Sequence, residues 1–295
     1  MLCDFMRAPV LIKIAKPYWE LMRFHRPIGT LLLLWPTWWA LWLAQGAFPK
    51  LSLLIIFSLG VVVMRVAGCV VNDIADRNID KHVARTHNRP LTSGALSLTH
   101  AKITFIALLV LAFGLVLLTN LLTISLAFIA VALCCIYPFM KRFTHLPQVV
   151  LGAAFSMSIP MAFAATNDTL GPLVVVIYCT NLLWTVVYDT FYGMVDREFD
   201  KKIGVKSTAI LFEGNELIMV GSLQVLTLFG FVLIGQRFEL GSIYYLAVVS
   251  AAALMIYQQV LINHGQVSYY FKAFLNNNWL GFIIFVGIAS SYLMN

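Results

Sequence analysis

Two clusters of oxygen-bearing side chains interrupt an otherwise apolar sequence. The first is Asn72-Asp73-Ile74-Ala75-Asp76-Arg77-Asn78-Ile79-Asp80. The second runs from Tyr188 and Asp189 through Tyr192 to Asp196-Arg197-Glu198-Phe199-Asp200. On a helix, Asn72, Asp76 and Asp80 share one stripe, and so do Tyr188, Tyr192, Asp196 and Asp200. Asp73 falls in the same sector as the first stripe. Arg65, seven residues before Asn72, lies roughly 20° off its direction and deeper along the helix. Carboxylates four residues apart repel, and nearby lipid adds a desolvation cost. Such a pattern persists where cations neutralise it. Mg²⁺ takes oxygen ligands and shares them with substrate phosphates. Two facing carboxylate ladders therefore suit Mg²⁺ and a diphosphate, with nearby Arg and Lys balancing the remaining charge.

The elements that must position these groups are membrane helices. Of 295 residues, 61% are hydrophobic and 11% charged, and the mean hydropathy is +0.87. A soluble domain carries roughly 25% charged residues, so a water-soluble globular enzyme, a disordered chain and a nucleic-acid module are excluded. Apolar runs long enough for a roughly 30 Å hydrocarbon core give nine expected spans. They are Ile28–Gln45, Leu51–Val71, Ile103–Thr119, Leu121–Tyr137, Val149–Ala165, Leu173–Tyr188, Leu217–Ile234, Ile243–Ile262 and Trp279–Leu293. The fold class is all-α, because lipid leaves no partner for open backbone. Pro36 and Pro160 fall inside spans, and Asn120 demands a tight hairpin between the third and fourth. Residues 1–25 read as an interfacial N-terminal segment without a signal-peptide h-region. Residues 26–295 form the membrane domain, with motif-bearing loops at 72–100 and 189–215.

The net charge of +7 reflects topology. Only Lys50 and Arg237 fall in odd-numbered loops and Arg65 lies within a span. The other 17 of 20 Lys and Arg gather at the opposite face, which makes that face and the N-terminus cytoplasmic. The acids follow them: among 13, Asp168 and Glu239 alone lie on the far side. The two acidic motifs are four spans apart and so share a face, as a parallel duplication would arrange. The five cysteines and six histidines show no metal-ligand spacing. No dinucleotide, P-loop or nucleophile-elbow motif accompanies the acids.

These residues resemble the UbiA superfamily of intramembrane aromatic prenyltransferases over nearly the whole chain. Asn72–Asp80 fits its NDxxDxxxD motif and Asp196–Asp200 its DxxxD motif. The stretches RPIGTLLLLWPTWWAL from Arg26, THNRPLTSG from Thr86, YPFMKRFTHLPQVVLG from Tyr137 and GVKSTAILF from Gly204 resemble the bacterial branch that prenylates 4-hydroxybenzoate. One departure is Glu213-Gly214 after Phe212, where the branch pattern has Gly directly.

The resemblance implies nine helices around a central cavity, capped by cytoplasmic loops in a bacterial inner membrane. It implies transfer of a polyprenyl group from polyprenyl diphosphate to the ring carbon ortho to the hydroxyl of 4-hydroxybenzoate, within ubiquinone synthesis. Asn72, Asp76, Asp196 and Asp200 are then the catalytic Mg²⁺–diphosphate residues. Asp80 is a further metal ligand, and Asp73 supports the cofactor beside it. Arg26, Arg65, Arg77, Tyr137, Lys141, Arg142, Tyr188 and Tyr192 are the expected substrate-binding set. Arg142 is expected at either the acceptor carboxylate or the diphosphate. Phe191, Tyr188 and Tyr192 are candidates to face an allylic cation, and no single general base stands out. A lateral opening is expected, because the isoprenoid tail must stay in hydrocarbon. Two rival readings are a family member with another quinone-precursor acceptor, and an ion-coupled transporter. The transporter requires its acids near the bilayer midplane.

Overall fold

The computed structural model describes residues 15–82 and 86–293. Residues 1–14 of the expected interfacial segment lie outside that set. Its remainder begins with a short helix over residues 15–21. We number the following helices α1 (Ile28–Gln45), α2 (Leu51–Asp76), α3 (Leu98–Val116), α4 (Leu121–Met140), α5 (Pro147–Ser156), α6 (Ser158–Asn167), α7 (Leu173–Lys202), α8 (Thr208–Leu211), α9 (Glu216–Arg237), α10 (Ser242–Asn263) and α11 (Val267–Leu293). Among the described residues there is no strand. Eight helical units are long and apolar enough to cross a membrane, with α5 and α6 counted as one. Helix α1 has 18 residues, no charged side chain and four Trp. It coincides with the first of the nine expected spans but is not one of the eight.

Local chemistry explains the boundaries. Gly46 closes α1 in the left-handed conformation, with its N–H bonded to the Trp42 carbonyl, as helix C-caps favour. Asn120 turns the hairpin. Its side chain accepts from the Thr123 N–H and hydroxyl at 3.0 and 2.7 Å and donates to the Ala164 carbonyl at 2.6 Å, tying the turn to α6. The fifth span is broken at Met157 because Pro160 has no N–H for the Ser156 carbonyl. Helices α2 and α7, with 26 and 30 residues, run about 39 and 45 Å at about 1.5 Å per residue. Both outrun the hydrocarbon and carry their polar ends to headgroup level.

The ninth span differs from its expected start at Trp279. It begins at Val267, because the polar Asn276, Asn277 and Asn278 are satisfied inside the bundle. Asn276 accepts from Gln258 of α10 at 2.9 Å, Asn277 from the Trp184 indole of α7 at 2.8 Å, and Asn278 from the Trp35 indole of α1 at 2.9 Å. Three consecutive amides thus bind α11 to three helices, supplying the partners that buried polar groups require. At the centre, Trp39 packs against Trp184 and Phe231 with ring centroids 5.2 and 5.6 Å apart. Outward-facing Leu121, Val225, Leu246 and Ile256 are exposed, as lipid contact requires.

Gly281 lets these indoles meet: a Cβ there would sit 2.6 Å from Trp35 Cδ1 and 2.8 Å from the Trp184 ring. Gly281→Ala is expected to destabilise the bundle by about 1–3 kcal/mol through overpacking. Gly114→Ala, whose Cβ meets nothing within 4 Å, leaves stability unchanged or slightly raised. Thermal unfolding in detergent checks both.

Candidate active site

Both acidic motifs open onto one cavity of about 2080 Å³. Helix α2 brings Arg65, Asn72, Asp73 and Asp76 to its wall, and α7 brings Tyr188, Asp189, Tyr192, Asp196 and Asp200. Arg26, Tyr137 and Lys141 also line it. The motif carboxylates Asp73, Asp76, Asp196 and Asp200 lie toward the ends of α2 and α7, whereas Arg65 and Asp189 lie deeper along the same helices.

The first ladder is shorter than expected. Helix α2 stops at Asp76, the Ile79 N–H bonds the Asp76 carbonyl at 2.8 Å, and Asp80 opens a 3-10 turn. Asp80 therefore reaches the cavity from a turn and is no longer the third rung of a helix. The following loop holds it there. The Thr86 hydroxyl bonds its carbonyl at 3.1 Å, and Arg89 Nη1 bonds its Oδ2 at 2.7 Å.

Each buried carboxylate of this motif has a cation. Asp73 Oδ1 accepts from Arg23 at 2.5 Å and from Arg89 at 3.1 Å. Asp73 thereby fastens the N-terminal segment and the 86–97 loop to α2. Burial disfavours the Arg23 cation, and Asp73 more than offsets it, so Arg23 stays above the ordinary arginine value. Arg23 has a left-handed backbone, φ 54°, a strain of about 1–2 kcal/mol that the ion pair helps hold. Lys141 Nζ lies 2.5 Å from Asp76 Oδ2. The other oxygen, Asp76 Oδ1, is buried with no hydrogen-bond partner. An orphaned carboxylate oxygen on a cavity wall is what a hard cation would complete. Among the described residues no group of three or more Asp, Glu, His or Cys side chains is placed to hold a metal ion.

The end of α7 divides its charges between two faces. Asp196 and Asp200 face the cavity. On the other face Arg197 pairs with Glu216, and Lys201 with Glu213, fastening α7 to the start of α9. The Lys201 ammonium holds the Glu213 carboxyl below the ordinary glutamate range. The Glu213-Gly214 departure thus makes a surface ion pair and a left-handed turn at Gly214, φ 81°, away from the cavity.

A deeper group combines expected and unexpected residues. Arg65 Nη1 lies 2.8 Å from Cys69 Sγ, and its charge acts on Asp189. Asp189 accepts a hydrogen bond from Gln148, whose Oε1 in turn accepts from the Thr208 N–H at 3.0 Å. The Tyr137 hydroxyl lies in the field of Asp189, Asp76, Arg65 and Tyr192. Tyr188 donates to Thr185 Oγ1 at 3.2 Å and meets Trp184 edge-on. Tyr192 packs on Phe274 at 5.1 Å.

Three expectations fail on position. Phe191 is fully buried in the core and does not reach the cavity. Arg77 and Arg142 do not line it either. Arg77 bonds the Ile74 carbonyl at 3.0 Å and Arg142 the Ala75 carbonyl at 2.7 Å, because the end of α2 turns those carbonyls outward. Conversely, Arg23, Arg89 and Gln148 were not singled out from sequence, and Asp189 was named in the second cluster without a role, although it precedes Asp196 by seven residues, as Arg65 precedes Asn72. Arg23 carried no such signal, since its partner lies 50 residues away.

Residues 33–286 match the UbiA prenyltransferase family. The chain belongs to that family. It is 53% identical to the 4-hydroxybenzoate octaprenyltransferase of Vibrio atlanticus, over 94% of this chain and 98% of that one. It is 54% identical to the enzyme of that name from Psychromonas ingrahamii, over 94% and 96%. A UbiA homolog from Aeropyrum pernix, solved in its apo form, superposes with TM-score 0.79 at 26% identity, over 88% of this chain and 97% of that one. A UbiA homolog from Archaeoglobus fulgidus, solved with DMAPP and Mg²⁺, shares the fold with TM-score 0.66 at 20% identity, over 90% and 98%.

Within this UbiA-family cavity, Gly29 of α1 makes room for Arg65. A Cβ at Gly29 would fall 2.2 Å from both Nε and Nη2 of Arg65. Gly29→Ala displaces the flexible guanidinium and leaves the backbone in place. Expected is a 10- to 100-fold fall in prenyl-transfer kcat/KM (order of magnitude), with thermal stability within about 1 kcal/mol of the parent.

Proposed function

We propose that this protein transfers a polyprenyl group from its diphosphate to the carbon ortho to the hydroxyl of 4-hydroxybenzoate, within ubiquinone synthesis. The observation that carries this reading is the single cavity that joins two carboxylate motifs to a long apolar wall. Its relatives' name supports the acceptor and donor class.

The donor's diphosphate sits at the charged mouth, on the cytoplasmic side that the Lys and Arg distribution indicates. Asn72, Asp76, Asp196 and Asp200 would hold Mg²⁺ there, with Asp80 as a further ligand. Held there, Mg²⁺ would supply charge neutralisation for the departing diphosphate and so favour ionisation of the allylic C–O bond. Lys141 and Arg89 supply fixed positive charge beside it. Both are already held by carboxylates, so they need little reorganisation when the negative charge develops.

Tyr188 and Tyr192 present aromatic faces to the allylic cation, each contributing roughly 0.5–2 kcal/mol. Arg65, deep in the cavity and held by Gly29 and Cys69, orients the acceptor carboxylate. The ring carbon attacks the cation, and the displaced ring proton passes to Asp189 or to a diphosphate oxygen. The N-terminal segment and the 86–97 loop, fastened through Asp73, keep out water that would capture the cation. The isoprenoid tail follows the apolar wall between α3 and α4. These helices pack on α2 and α5 far more than on each other. Phe113 and Phe128 lie across this seam with ring centroids 6.0 Å apart, and the proposed lateral opening runs along it.

Purified protein in vesicles, given labelled polyprenyl diphosphate and a panel of acceptors, tests the reading. Prenylated 4-hydroxybenzoate is expected, lost with EDTA and restored by Mg²⁺. Product with dihydroxynaphthoate and none with 4-hydroxybenzoate would reject the acceptor. Asp76→Asn and Asp196→Asn should each lower kcat at least about 100-fold, while circular dichroism keeps the parent helix content.

A further inference from the structure

Arg77 and Arg142, displaced from the cavity, share a second hollow of about 460 Å³ beside the end of α2. Ile74, Ala75, Asn78, Ile79 and Phe139 complete its wall. The two guanidiniums are held by adjacent carbonyls, Ile74 O and Ala75 O, and Arg142 lies 5.2 Å over the Phe139 ring. A guanidinium has five N–H donors, so one carbonyl bond leaves donors on each group. The ion pairs among the described residues engage Lys16, Arg23, Arg89, Lys141, Arg197 and Lys201, and neither Arg77 nor Arg142. Two fixed cations without a carboxylate form a receptor for a phosphate.

The surroundings distinguish the source of that phosphate. Phe139, in the wall of the hollow, is 41% exposed, and Phe143, next to Arg142 in the chain, is 72% exposed. This is an apolar rim that suits acyl chains, at the end of α2 where hydrocarbon gives way to headgroups. We propose that Arg77 and Arg142 form a second anion site that binds the phosphodiester of an anionic phospholipid. Inorganic diphosphate carries the same chemistry but makes no use of the rim.

Native mass spectrometry of the full-length protein in detergent separates the two sources. One titration uses phosphatidylglycerol, with phosphatidylcholine as the zwitterionic comparison, and another uses inorganic diphosphate. The parent should retain phosphatidylglycerol over phosphatidylcholine. R77Q/R142Q should weaken that retention at least about tenfold, the loss expected for two charge-assisted contacts, while diphosphate binding in the cavity persists. R77K/R142K, which keeps the charges, should retain the lipid and guards against a folding defect in the Gln variant. Equal phosphatidylglycerol retention by the parent and R77Q/R142Q overturns the proposal. So does a variant that loses diphosphate but keeps the lipid.

Discussion

A carboxylate near hydrocarbon must be neutralised or hydrogen-bonded, and this constraint organises the whole headgroup end of the bundle. Asp73, Asp76 and Asp80 are all buried, and none could stay ionised there alone. Their cations come from distant parts of the chain: Arg23 before α1, Arg89 in the loop before α3, and Lys141 at the end of α4. Compensating the charge therefore also closes the fold. The pairs bring the N-terminal segment, the 86–97 loop and α4 to one place, and that place is the roof of the cavity.

The same chemistry leaves an opening for a ligand. Asp76 engages Lys141 with one oxygen and leaves the other orphaned. An unfilled acceptor in a buried, positively supplied site is costly in the free protein. A divalent cation held there would remove that cost. Helix α7 separates its duties by face, with acids toward the cavity and Arg197 and Lys201 toward α9. Repulsion along its acidic stripe is thus opposed by an anchoring stripe on the same helix.

The apolar majority of the chain sets depth, and a few amides set arrangement. Lipid gives helices little hydrophobic reason to choose partners, so polar contacts and close packing do the choosing. Asn276–Asn278 illustrate this: each bonds a different helix, and Gly281 one turn onward lets Trp35 and Trp184 close over α11. Trp184 in turn packs edge-on to Tyr188, so the amide hub extends to the cavity wall.

Hydrophobic periodicity and charge placement were sufficient to read the helical class, the approximate spans and the shared face of Asp76 and Asp196. Those properties depend on transfer between water and lipid, which acts on each segment independently. The break at Asp76 that takes Asp80 off the helix, the full length of α11 and the turning away of Arg77 and Arg142 were settled only by packing. So was the arrival of Arg23, Arg89, Gln148 and Asp189 at the cavity. Each of these depends on a partner far away in the chain, as Arg23 depends on Asp73 and Asn277 on Trp184. A local pattern shows that a polar group needs a partner; only the folded bundle decides which one it meets.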